Sequence, residues 1–228
     1  HYPLRHLAGS TLQEGRLPLW NPYIFCGTPL AANPQAALFM PLSCLFYVLS
    51  TLAAFDLSTL LYLGLAFLGA QLLARRWGLP PAGAFALAAA FALHPFLVYR
   101  IPQGIPTHLA GLAFIPWVWL GIEAQGPEGW ARSESSPRAS GLTLWPVAFL
   151  SLVLSLQALS GHPQFMIINL AGLGLFLAIR RPRALIPLFL ALAVTAAVTA
   201  AQWIPAAEYA SRSVRAANLC RIAVHRPK

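Results

Sequence analysis

The side chains with chemistry to offer are few in this chain, and they gather at the ends of apolar runs. Six acids stand against fifteen Lys and Arg and six His in 228 residues. Arg100 follows one apolar run and His108 opens the next. Ser160-Gly-His-Pro-Gln164 closes another, and Glu208 and Arg212 stand four apart beyond a last one. Arginine suits phosphate because its planar fork bonds two oxygens at once. Histidine titrates near neutrality. A carboxylate such as Glu14 or Glu208 can orient or deprotonate a hydroxyl. Near the start, Trp20, Asn21, Tyr23 and Gln35 combine aromatic faces with amides, which is equipment for stacking on sugar rings and bonding their hydroxyls.

Each of these residues also has a plainer reading. Arg100 can snorkel to headgroups. His108 and His162 can bond to the backbone at helix ends, and His94 can sit buried and hydrogen-bonded. Glu208 and Arg212 can form an i,i+4 pair. Trp20 and Tyr23 can anchor a loop at a membrane interface, and Asp56 can cap a helix.

Composition decides what positions them. The chain is 58% hydrophobic and 9% charged, with mean hydropathy +0.65, whereas soluble domains carry about 25% charged residues. The apolar runs place it among all-α, polytopic membrane helix bundles. The expected spans are Asp56–Ala74, Pro80–Val98, His108–Glu123, Leu142–Ser160, Phe165–Ile179 and Ala184–Ile204, about six in all. The net charge of +9 does not indicate nucleic-acid binding, because the arginines cluster between spans. Arg75/Arg76, Arg132/Arg138 and Arg180/Arg181/Arg183 all fall on one side only if the apolar stretch Leu38–Phe55 does not cross. Leu38–Phe55 is therefore expected along or re-entering the outer interface, with the arginines cytoplasmic. Three regions follow: an extracytoplasmic loop with an interfacial helix (1–55), a transmembrane bundle (56–204) and an outer tail (205–228). The polar residues at outer span ends then mark an outward-open cavity, and ionisable groups at membrane depth are costly enough to be functional candidates. Cys26, Cys44 and Cys220 show no metal or disulfide spacing.

Gly15-Arg-Leu-Pro-Leu-Trp-Asn-Pro-Tyr23, followed by Gly27-Thr-Pro and Ala32-Asn-Pro-Gln35, resembles the opening extracytoplasmic loop of the bacterial YfhO-like membrane proteins. Ser160-Gly-His-Pro-Gln164 resembles a second signature of that family. Gln202-Trp-Ile-Pro205, with Glu208 and Ser211-Arg-Ser-Val-Arg215, resembles a third. The three lie in family order and span the chain to about Asn218.

The resemblance implies a GT-C-type glycosyltransferase of the bacterial inner membrane with an outward active face. It would pass a sugar from a polyprenyl-phosphate donor to an extracytoplasmic envelope polymer or glycan. On their own chemistry Glu14 and Glu208 are the candidate local acids. Arg100, His108, His162 and Arg212 would hold lipid phosphate, and Trp20, Asn21, Tyr23, Gln35 and Gln164 the sugar. Family members carry a span and an acidic residue ahead of the position matching Tyr2, so this chain is expected to be an N-terminal piece whose usual base lies upstream. Some GT-C enzymes use a divalent cation, but no His/Asp/Glu spacing here requires one, and no other cofactor is evident. A transporter or lipid flippase, or a non-catalytic scaffold subunit, remains the alternative. The flippase would be expected to show internal symmetry, which the sequence lacks.

Overall fold

The computed structural model describes residues 1–125 and 144–212. The Gly126–Gly141 loop with Arg132 and Arg138, and the end of the chain with Arg215 and Cys220, lie outside the described residues. Among those described, the protein is helical apart from one two-residue antiparallel pair.

The N-terminal region is more structured than a loop. Helix α1 (Tyr2–Gln13) buries Arg5, Ala8 and Gly9. The pair β1 (Trp20–Asn21) and β2 (Thr28–Pro29) follows, then 3₁₀ turns at Pro34–Ala36 and Pro41–Cys44. The Pro34–Ala36 turn is set locally, since Asn33 Oδ1 accepts the Gln35 N–H at 3.0 Å. The expected interfacial helix over Leu38–Phe55 is broken. Only Leu45–Val48 forms the short α2 before the chain turns at Leu49. Ser50 then caps α3 (Thr51–Arg76), its Oγ accepting from Ala53 N. Asp56 is therefore not the cap, because α3 begins five residues before it.

Four helical stretches are long and apolar enough to cross a membrane: Thr51–Arg76, Pro81–Arg100, Pro163–Arg180 and Pro182–Ser211. The second comprises α4 (Pro81–Ala92) and α5 (Pro95–Arg100), broken where Pro95 cannot donate. The expected span His108–Glu123 is likewise split, into α6 (Pro106–Ala113) and α7 (Ile115–Glu123), with Pro116 at the second start. Helix α8 (Leu144–Leu159) is apolar but shorter than the four. Helix α9 (Pro163–Arg180) leads through a 3₁₀ turn into α10 (Leu185–Ser211), which continues past Ile204 with Pro205 inside it.

Small residues set the packing. Ala54, Ser58, Ala66, Ala70 and Ala74 are buried on α3, and Ala84, Ala88 and Ala92 on α4, at mostly four-residue spacing. That stripe lets α3 and α4, which pack against each other, approach closely. Where α3 has Gly69, the indole of Trp117 fills the gap, and its Nε1 donates to Leu65 O at 3.0 Å. On α9, Ile167, Ile168, Leu175 and Ile179 remain exposed, as on a helix bordered by hydrocarbon.

Two polar arrangements orient the bundle. At one end Glu123 joins the ends of three helices. Its carbonyl accepts from Arg76 at 3.5 Å and its carboxylate from Arg181 at 3.1 Å. Arg76 and Arg181 therefore meet at the same end. In the interior, Gln157 of α8 is wholly buried. Its Nε2 donates to Gly111 O at 2.9 Å, and its Oε1 accepts from Asn169 Nδ2 at 3.3 Å. Asn169 Oδ1 in turn accepts from Trp119 Nε1 at 3.1 Å. One amide pair thus ties α6, α7, α8 and α9 together.

Truncating Gln157 to Ala leaves the Gly111 carbonyl and the Asn169 amide buried without it. The expected loss is about 1–3 kcal/mol of stability, read as a lowered unfolding midpoint of the purified protein in detergent. Gln157→Glu, which keeps only acceptors, is expected to fail in the same way.

Candidate functional site

The interior amides have a direct consequence at the bundle end opposite Glu123. Gly111 lies one turn below Thr107 and His108 on α6, and Gln157 one turn below Ser160 and His162. Fixing Gly111 to Gln157 therefore brings His108 and His162 together, and their rings stand edge to face with centroids 4.0 Å apart. Phe165, one turn into α9, packs on both rings and covers Gly111. The His1 ring lies 5.8 Å from that of His162.

The N-terminal region closes over this pair. Gly161 has φ +97°, which L side chains rarely adopt. A Cβ there would lie 2.6 Å from Pro34 O and 3.2 Å from Thr107 Cγ2. The Asn33-capped turn is thus wedged against Gly161 and Thr107, directly beside the histidines. Arg100, at the end of α5, donates from Nη1 to Gln103 Oε1 at 2.8 Å and lies 4.5 Å over the Phe96 ring.

What distinguishes this place is unmet polarity. His1 Nδ1, Arg100 Nε, Thr107 Oγ1, His108 Nδ1 and His162 Nε2 are all buried without a hydrogen-bond partner. Such atoms are rarely left orphaned, so their concentration marks a site for a polar ligand or water. None of the described ion pairs supplies a carboxylate to it. Burial, followed by the His108 and Arg100 charges, holds His162 down at about 4. Its ring is neutral at pH 7, free to accept a proton or a hydrogen bond.

Beside the cluster runs an apolar groove of about 510 Å³ between the start of α1, α3 and residues 100–109. Tyr2, Phe55, Leu60, Leu63 and Leu109 line it, with Arg100 and Asp56 as its charged groups. The groove has a guanidinium on an otherwise mainly apolar wall.

The structure gathers Arg100, His108 and His162, and adds Thr107 and His1, which the sequence gave no reason to select. Thr107 could have been suspected only as the neighbour of His108. The remaining candidates stand in other settings. Glu14 is exposed and paired with Arg16. Glu208 pairs with Arg212 at 2.7 Å, the exposed i,i+4 arrangement. Neither acid touches the histidine cluster among the described residues. His94 caps α5, its Nδ1 accepting from Phe96 N at 3.2 Å, but it is exposed rather than buried. Asn21 is buried, and its Oδ1 closes a turn by accepting from Tyr23 N at 2.9 Å. Trp20 lies across Gly27 with its other face exposed, and Tyr23 is exposed. Gln35 sits on the wedged turn and Gln164 beside His162, both with exposed side chains. The cluster holds no group of three His, Cys, Asp or Glu suited to a metal among the described residues.

No family model, curated protein or solved structure matches the chain.

Two results are expected. Unfolded His162 takes up a proton near pH 6.5, whereas in the fold it does so only near 4. Between those values the unfolded state binds more protons, so stability falls as pH falls through that window. A thermal-unfolding series from pH 7.5 to 4 is expected to show this, with a shallower slope in His162→Gln. Gly161→Ala forces a strained φ and a clash with Pro34 O. It is expected to lower stability by about 1–3 kcal/mol and to raise proteolytic cleavage near residues 33–36.

Proposed function

We propose that the chain is a membrane glycosyltransferase of GT-C type that uses a polyprenyl-phosphate-linked sugar on the outer side of a bacterial inner membrane. The observation that carries this reading is the set of unpartnered buried atoms on Arg100, Thr107, His108 and His162 beside an apolar groove. A lipid phosphate is chemically matched to both: its oxygens to the donors, its chain to the groove. The resemblance to YfhO-like proteins supplies the class of reaction.

In this reading the acceptor hydroxyl attacks the anomeric carbon, the bond from that carbon to the phosphate oxygen breaks, and polyprenyl phosphate leaves. A base takes the hydroxyl proton. Arg100 stabilises the charge growing on the phosphate, and His108 and His162 bond its oxygens. The wedged turn with Gln35, together with Gln164 and the exposed face of Trp20, faces the sugar and acceptor side. The paired acids Glu14 and Glu208 are not assigned as the base. The arginine-rich end at Glu123 faces the cytoplasm, with the shorter segments α6–α7 and α8 completing a six-span topology.

The test follows labelled sugar from polyprenyl phosphate into envelope material, in membranes carrying the full-length protein. Wild type is expected to transfer, and Arg100→Ala and His162→Ala each to fall by about 10²-fold at equal protein level. Full transfer in both variants would reduce the cluster to a structural role. No transfer in wild type would shift the reading to a lipid flippase or scaffold.

A further inference from the structure

Between Leu17 and Phe55 the sequence has no Asp, Glu, Lys, Arg or His. Of these residues only Thr51–Phe55 belong to a helix long and apolar enough to cross a membrane. An uncharged stretch outside a span is expected to turn its large apolar side chains inward, yet this one holds several of them out. Tyr23 is 83% exposed and Phe25 90%, and Leu17, Leu19 and Ile24 are exposed near them in the chain. Residues 22–27 form the tip of the β1–β2 hairpin.

The tip is firmly held. Asn21 Oδ1 accepts from Tyr23 N and Ile24 O from Gly27 N, each at 2.9 Å. The Trp20 indole lies over Gly27, in the space a Cβ would occupy. At the base Leu30 N donates to Leu19 O at 2.8 Å, and Leu30 packs with Ala8 and Ala36 in a small core. Within this frame Phe25 and Cys26 take φ +51° and +59°, left-handed values that bulky L side chains rarely adopt. Backbone strain of this kind gathers at functional sites. Here it coincides with the most exposed large apolar side chain among the described residues.

The occupant follows from the chemistry of the tip and from its place. Asn21 is the one amide between Leu17 and Ala31, and it is buried and spent on the turn. The tip therefore offers a glycan rings but no amide for its hydroxyls. Without charge it also lacks the ion pairs that orient a polar protein partner. A lipid interface asks for neither. Tyrosine seats its hydroxyl among headgroups, and phenylalanine and isoleucine go deeper. The place agrees. Gln13 Nε2, at the end of α1, donates to Tyr47 O at 3.2 Å, so the chain sets out towards Leu17 from beside Val48. Val48 and Leu52 are themselves exposed where the span Thr51–Arg76 begins. The hairpin thus leaves the bundle at the level where α3 enters the bilayer.

We propose that the Tyr23–Phe25 tip inserts into the bilayer surface at the histidine end of the bundle, as an uncharged anchor for the N-terminal segment. The same segment carries the Asn33 turn wedged on Gly161, so lipid holds one end of it and the bundle the other. The anchor does not depend on the sugar-transfer reading.

In the experiment, the full-length protein with every other cysteine replaced by serine carries a bimane label on exposed Cys26. It is reconstituted in phosphatidylcholine vesicles. Quenching is measured with a nitroxide on the lipid chain, and with iodide on both sides of the membrane. The lipid-borne quencher is expected to act strongly and iodide weakly. The same is expected with phosphatidylglycerol added and at high salt, because no charge takes part. Tyr23→Ser/Phe25→Ser is expected to lose the lipid quenching and gain quenching by iodide. In detergent it should unfold at the same temperature as its parent, since both side chains are exposed. Quenching of the parent by iodide alone would leave the tip in water, where a glycan could stack on it, and would overturn the proposal. Shielding from both quenchers would place the tip against protein, a second copy included, and would equally overturn it. So would lipid quenching that survives the double substitution.

Discussion

The buried amide of Gln157 is the constraint on which the rest of the arrangement depends. In a helix bundle with few charges, a polar side chain in the interior has no water to fall back on. Gln157 therefore has to find Gly111 and Asn169, and Asn169 has to find Trp119. That requirement fixes the mutual height of α6, α7, α8 and α9. Apolar packing alone would leave these helices freer to slide, because one leucine contact resembles the next. Hydrogen bonds between specific atoms do not allow it.

Once the heights are fixed, the polar end follows. His108 and His162 stand one turn above the bonded pair, so they meet without needing a bond of their own. Gly161 leaves just enough room for the Pro34 carbonyl, so the N-terminal segment can press onto the same spot. The outcome is an unusual local balance. The Gln157–Asn169 amides beneath are bonded, while the histidine, threonine and arginine atoms above them are buried and unpaired. A site for a ligand has this form, since the fold bears the cost of desolvating the groups before the ligand arrives.

The described carboxylates of Glu14, Glu123 and Glu208 are committed to ion pairs elsewhere, two of them exposed and one at the Glu123 end. The groove carries the carboxylate of Asp56 as well as the guanidinium of Arg100, among aromatic and aliphatic side chains.

The amino-acid sequence by itself determined the broad class. Long apolar runs with arginines between them call for a helical, membrane-type bundle, because a helix satisfies its own backbone without water and a barrel strand would be shorter and would alternate. It also located Arg100, His108 and His162, whose polarity stands out against their apolar flanks. Other features were invisible to it. Helix α1 was missed although Leu4, Leu7, Ala8 and Leu12 follow a helical period, because no capping side chain marks its start and the Pro/Gly-rich stretch after it reads as loop. The break at Leu49 and the true start of α3 at Thr51 depended on Ser50 as a cap, a signal that the apolar stretch on either side obscured. Asp56 drew attention as the only charge nearby, yet capping needs position rather than charge. Which polar residues meet was decided by tertiary structure alone. Spacing along a chain does not say that residues 34, 107 and 161 come within a few ångströms, nor that Arg5 points inward. Those facts depend on how four helices settle around one amide, and that balance exists only once the chain has folded.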